Sequence, residues 1–159
     1  MIVEGELRLK EILLSEVVYD KRARDGTWCT LPYPPNHKKG CKNFPACIEE
    51  RPDFKDLDYK LWYAVIETYD LHSHAMRMHK KHGWCSRWMQ RNRYHWQNQV
   101  MSKLLKKAQT LQDTKLSKTI ILDIPEACGV NVYATMAKHG IYLQSDPDLV
   151  YKIMLVGVK

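Results

Sequence analysis

Nothing in the chain runs apolar for the 18 or so positions that a membrane-spanning helix needs. The opening MIVEGELRLKEILL carries acidic residues where a secretory signal has a basic region, so the expected location is cytoplasmic, with no membrane partner. Several chemical signatures are also missing. There is no HExxH pair, no glycine-rich phosphate loop or dinucleotide-binding glycine pattern, and no recognisable Ser/His/Asp arrangement, so metalloprotease, kinase, dehydrogenase and serine-hydrolase readings have no support. No cysteine has a neighbour at the short spacing by which structural zinc sites present paired thiolates. Internal repeats and low-complexity tracts are absent as well.

What the chain does have is concentrated in Gly26 to Asp53, GTWCTLPYPPNHKKGCKNFPACIEERPD, which holds three of the 5 cysteines and five of the 7 prolines. So many prolines exclude a helix or a central strand. A long irregular stretch inside a compact domain needs something to pin it, because ordering each residue costs about 1–2 kcal/mol of backbone entropy. A metal centre held by Cys29, Cys41 and Cys47 is the expected pin. In a reducing compartment clustered thiols serve as metal ligands or redox groups sooner than as disulfides.

Lys plus Arg number 25 against 18 Asp plus Glu, a formal charge of +7. Such a surface attracts polyanions and anionic substrates, although a protein can be basic without using it.

Taken in order, residues 2–20 mix β-branched and long apolar side chains, compatible with a strand followed by a helix or with one continuous element. The polar KRARDG then leads into the cysteine stretch. LDYKLWYAVIETYDL, from Leu57, has the aromatic and β-branched composition of a strand. HSHAMRMHKKHG suits a short helix; its four histidines, with His79 and His82 on one face, read as a solvated basic surface. From Trp84 to Gln112 the residues Trp84, Trp88, Trp96, Val100, Leu104, Ala108 and Leu111 mark one face of a long helix. KTIILDI, 118–124, is a strand stopped by Pro125. PEACG reads as a helical turn ending near Gly129, and a helix follows with Asn131 as its cap and Gly140 past its end. DLVYKIMLVGV, 148–158, is the closing strand. The fold expected is a single α+β domain over 1–159, with a small mixed or antiparallel sheet, helices on one side, a cysteine-rich metal-binding loop at 26–53 and a long helix at about 84–112.

The cysteine spacing adds a candidate fourth ligand. Cys85 lies beyond the loop at the start of the long helix, where backbone N–H groups and the helix dipole favour a thiolate. Arg87 and Arg91 project from one side beside it. With Arg93, Lys38 and Lys39 they form a candidate anion or nucleic-acid contact, guanidinium groups being suited to phosphate. The competing reading is an ordinary exposed basic face. Cys128 sits in a turn among apolar residues and reads as simply buried. His37, in NHKKG, reads as part of a solvated turn. Spread-out ligands fit an iron–sulfur cluster, which is wider than one ion; zinc remains the alternative.

Two segments carry a resemblance. GCKNFPAC resembles the cysteine-rich segment of the DUF2284 family of predicted metal-binding proteins, of the form GCPNYGK followed by CPP. EACGVNVYATMAKHGIYL resembles that family's C-terminal signature, of the form SMEACGIDV followed by a helix and a glycine. The resemblance implies a small cysteine-ligated metal or iron–sulfur protein, with Cys41 and Cys47 carried over as ligands and Cys29 as the preceding cysteine. This chain departs from the pattern where Ala46-Cys47-Ile48 replaces CPP. It departs again where LQDTKLSKTIILDI replaces a second cysteine cluster, which disfavours two-centre electron transfer.

Three functional expectations follow. The first is a [4Fe–4S] protein with Cys29, Cys41, Cys47 and Cys85 as ligands. Another is an RNA- or nucleotide-directed enzyme of the sulfur-transfer or sulfur-removal type using that cluster. The third is a zinc-stabilised interaction module within a larger complex, in which the metal supplies the folding energy of the loop.

Overall fold

The computed structural model describes residues 4–24, 49–70, 80, 93–143 and 149–159. Four strands join one sheet: β1 (Glu4–Leu13), β2 (Leu61–Asp70), β3 (Thr119–Leu122) and β4 (Leu149–Val158). Their order is β1-β2-β4-β3, and every pairing is antiparallel. β2 and β4 pair over their whole length, from Leu61 opposite Val158 to Asp70 opposite Leu149. They form the sheet's centre, which is why both are rich in apolar residues on each face.

β1 ends in a 3-10 turn at Leu14–Glu16, where the Leu13 N–H donates to Glu16 Oε1 at 2.9 Å. Over residues 4–16 this resolves the sequence ambiguity as a strand followed by a tight turn. β1 is an edge strand, and its register shifts between Glu4 and Leu7. Such an irregularity, in a strand bearing Arg8, Lys10 and Glu11, discourages pairing with another chain although Leu9 and Leu13 are exposed.

Period-two alternation sorts the side chains onto two faces. One face carries Ile12, Trp62, Ala64, Ile66, Leu122, Ile153 and Leu155, covered by Phe54, Tyr59, Val130, Val132 and Met136. The other carries Val65, Met154 and Val156 beneath Leu104 and Ala108 of α1 (Arg93–Asp113). The expected small α+β domain with an antiparallel sheet is present. Its helices are divided between the faces and not gathered on one side as expected, because β2 and β4 are apolar on both. The long helix covers one face. A 3-10 turn at Pro125–Cys128 and the short α2 (Val132–Ala137) cover the other.

The helical stripe read from the sequence holds where side chains are described: Leu104 and Ala108 are fully buried, and Leu111 packs beside them. The helix ends at Asp113, one residue past the expected end; its expected start lies outside the described residues. α2 is capped as read, with Asn131 Oδ1 accepting from the Ala134 N–H at 3.0 Å.

Two glycines are required by close approach. Gly129 has φ +97°, and a Cβ there would lie 2.5 Å from Tyr19 Cε2, where the strand-like bridge of Tyr19 to Val130 brings the backbones together. At Gly157 a Cβ would lie 2.8 Å from the Trp62 ring. Gly157→Val is therefore expected to destabilise by about 1–3 kcal/mol through overpacking, measured by urea unfolding.

Candidate functional site

Residues Arg24 and Arg51 flank the stretch that bears Cys29, Cys41 and Cys47, and they meet. Asp20 accepts from the Arg22 backbone N–H at 3.0 Å, starting the helical turn Lys21–Arg24. From its end the Arg24 guanidinium donates through Nη1 to the Arg51 carbonyl at 2.8 Å and to the Ala127 carbonyl at 3.3 Å. Arg24 Nε also lies 3.9 Å from Asp53 Oδ2. Arg51 continues the chain of contacts with a fork onto Asp123, Nε to Oδ1 at 3.0 Å and Nη2 to Oδ2 at 3.1 Å. Asp123 Oδ1 accepts in addition from the Ile124 N–H at 2.9 Å. Bidentate guanidinium–carboxylate pairs of this kind fix orientation as well as distance. Both ends of the cysteine stretch are thus tied to each other and to the turn that follows β3.

Behind that turn lies a line of buried charges. Glu126 is 2 % exposed, and its Oε2 lies 3.8 Å from Lys152 Nζ, a charge contact beyond hydrogen-bond length. Lys152 Nζ donates to the Ile153 carbonyl at 3.2 Å, at the point of β4 where β3 has already ended. Directly opposite Lys152 on β2 stands Glu67, fully buried, which accepts from Lys107 Nζ of α1 at 2.8 and 2.7 Å. Lysine and glutamate alternate across the sheet from α1 to the Pro125–Cys128 turn.

The site's electrostatics follow from this arrangement. Burial raises the Glu126 carboxyl above its ordinary value, and the opposing attraction of Lys152 does not cancel it. Burial also works against Asp123, but there the hydrogen bonds and charge of Arg51, helped by Lys152 and the Ile124 N–H, prevail and hold the carboxyl below the usual range. Because the folded value is the lower one, Asp123 contributes stability above the unfolded carboxylate range, and that contribution disappears as pH falls through the depressed value. The stability gap between wild type and Asp123→Asn should therefore narrow as pH is lowered from about 5 to about 2, followed by thermal melts.

Cys128 is the one described cysteine. It is fully buried, and desolvation, reinforced by Glu126, pushes its thiol up to about 12. That fits the reading of simple burial and leaves no nucleophile or ready metal ligand. In the native protein Cys128 should resist iodoacetamide at pH 8 over hours and react only after denaturation, a difference read by mass spectrometry.

Among the described residues no group of three His, Cys, Asp or Glu side chains is placed to hold a metal. The candidate ligands Cys29, Cys41, Cys47 and Cys85 lie outside the described residues, as do Lys38, Lys39, Arg87, Arg91, His37 and the histidines of the expected short helix. Arg93 opens α1, with its side chain outside the description. Among the described residues no helix is long and apolar enough to cross a membrane.

Sequence reading missed the Arg24, Arg51 and Asp123 contacts and the buried lysine–glutamate line. A signal for the second exists: Glu67 follows the apolar run Leu61–Ile66 of β2, and Lys152 is the one charge in β4. Two such residues of opposite sign suggest pairing.

Fold and cluster together define a small antiparallel α+β scaffold that gathers both ends of a cysteine-bearing stretch at one buried, charged turn. Comparisons with protein-family models, curated proteins and solved structures match nothing to this chain.

Proposed function

We propose that this chain is a metal-binding protein whose centre is carried by Cys29, Cys41 and Cys47, completed by Cys85, with a [4Fe–4S] cluster as the first reading. The observation that supports it is the closure at the base of the cysteine stretch: Arg24 donates to the Arg51 carbonyl at 2.8 Å, and Arg51 forks onto Asp123. A stretch whose ends are fixed together loses much of the entropy that three separated thiolates would otherwise have to overcome in meeting at one centre. The spacing of those thiolates, without a close cysteine pair, favours a cluster over a single zinc ion.

The deciding experiment is iron, zinc and acid-labile sulfide analysis with an absorption spectrum, on protein purified without oxygen. About four irons and four sulfides per chain with a broad band near 400 nm is the expected result. One zinc without sulfide sinks the cluster and leaves the zinc-stabilised module. A second reading, RNA- or nucleotide-directed sulfur chemistry at the same centre, draws on the +7 charge and on Lys38, Lys39, Arg87, Arg91 and Arg93. It requires RNA or nucleotide binding that weakens steeply with salt.

A further inference from the structure

We infer that Lys60, Lys159 and Lys118 form a docking strip for the phosphate backbone of a nucleic-acid strand, on residues separate from those of the RNA reading above and with no need of a metal. The register of the sheet puts the three side by side. Leu61 of β2 and Thr119 of β3 both pair with Val158 of β4. One step outward along these ladders Lys159 is flanked by Lys60 and Lys118, and the Lys159 N–H donates to the Lys118 carbonyl at 3.0 Å. Lys60 is held in line from its other side, its carbonyl accepting from the Leu14 N–H at 2.9 Å. Each lysine lies two residues from one of Trp62, Gly157 and Ile120, which meet on one face of the sheet, so the three share that face. Neighbouring strands are about 4.8 Å apart, and the row therefore spans about 10 Å. At its centre Lys159 Nζ lies over the Tyr59 ring, 5.6 Å from the centroid.

All three lysines are exposed, and among the described residues none of them forms an ion pair. Like charges set opposite one another on adjacent strands repel, so the row is a small standing cost that an anion relieves. Lys10, Lys106 and Lys138 also lack ion pairs, but they stand singly on β1, on α1 and at the end of α2. A linear polyanion suits a row, because its phosphates present charge along a line and release condensed counterions as lysines replace them. A bilayer surface would call for several apolar side chains inserted beside the cations. Leu116, fully exposed, is the one such side chain in the turn between α1 and β3.

The test is fluorescence anisotropy of a short fluorescein-labelled oligouridylate titrated with the full-length protein over a range of salt. Each phosphate contact to a single strand adds about 0.7 to the slope of log affinity against log salt. Lys60→Gln/Lys118→Gln/Lys159→Gln should therefore lower the slope by about 2 and, at about 0.1 M salt, raise the dissociation constant roughly a hundredfold. Changing Lys10, Lys106 and Lys138 to Gln makes the same change in net charge at three separate places, and should cost no more than one contact, about fivefold. Equal losses in the two triple variants would show that only net charge counts and would overturn the inference. An undiminished slope in the row variant also overturns it, while leaving the RNA reading above in place. So does a wild type that ignores the oligonucleotide at low salt, whether or not it binds phosphatidylserine–phosphatidylcholine vesicles. Removing opposed like charges should leave the melting temperature unchanged or higher, which separates lost binding from lost fold. Lys159→Gln alone, at the middle of the row, should still weaken binding about fivefold.

Discussion

Replacing Lys152 with Met is expected to destabilise the protein by about 3–5 kcal/mol at pH 7, the cost typical of removing one partner from a buried ion pair. For a chain of this length each kcal/mol corresponds to roughly 2–4 °C, so the melting temperature should fall by about 10 °C. The reason is placement. Lys152 is 5 % exposed and faces two buried carboxylates, Glu126 at 3.8 Å and Glu67 across the β2–β4 pair. Glu67 keeps its two contacts to Lys107, so the burden falls on Glu126. Deprived of Lys152, Glu126 has lost the attraction that opposes the effect of burial, and its carboxyl moves further upward.

A folded-state value above the unfolded one means that protons bind the native state more tightly, so the variant should recover stability as pH falls from 7 towards 5. The double variant Lys152→Met/Glu126→Gln removes the uncompensated charge and should regain most of the loss at pH 7. Urea melts at the two pH values check both statements. A Lys152→Met variant as stable as wild type at pH 7 would show that the ammonium is not holding Glu126.

The same pair illustrates what the sequence could carry. Strand composition was enough to place β2, β3 and β4, since runs such as WYAVI and KIMLV suit buried, pleated surfaces. Asn131 announced α2 because an amide side chain just before a short apolar run has one good use, accepting a backbone N–H. Gly129 likewise marked the end of the Pro125–Cys128 turn. The division of helices between two faces was less legible. It depends on which alternate residues of β2 and β4 turn towards α1, and a strand apolar on both faces does not say.

The contacts that tie Arg24, Arg51 and Asp123 together were not legible at all. Arg24, Arg51 and Asp123 are 27 and 72 residues apart in consecutive steps, and each alone is an ordinary surface charge. Only pairing of β3 with β4, followed by the turn at Pro125, delivers Asp123 to the place where Arg24 and Arg51 meet. What sequence did locate is the stretch itself, because three cysteines among five prolines are conspicuous wherever the ends lie.

Those cysteines should produce the largest functional effect. Changing Cys29, Cys41 and Cys47 together to Ser is expected to reduce bound metal from about one centre per chain to none, since a hydroxyl is a far poorer ligand than a thiolate. Cys128→Ala provides the internal comparison, and the structure says why it should behave differently. With its thiol near 12, only on the order of one Cys128 in 100,000 is ionised at pH 7. Its side chain is fully buried in the apolar core cluster that also holds Val130 and Tyr151. Alanine there should cost about 1 kcal/mol through lost packing and leave the metal content unchanged. Single replacements then rank the ligands, with Cys85→Ser as the informative one. If the centre takes four thiolates, that variant should lose metal as the loop variants do. If only three are used, it should retain a full complement, leaving one coordination position for a substrate or small ligand. Metal analysis by plasma mass spectrometry with sulfide determination separates these outcomes. Full metal content in the triple variant would remove the cysteine stretch from the site.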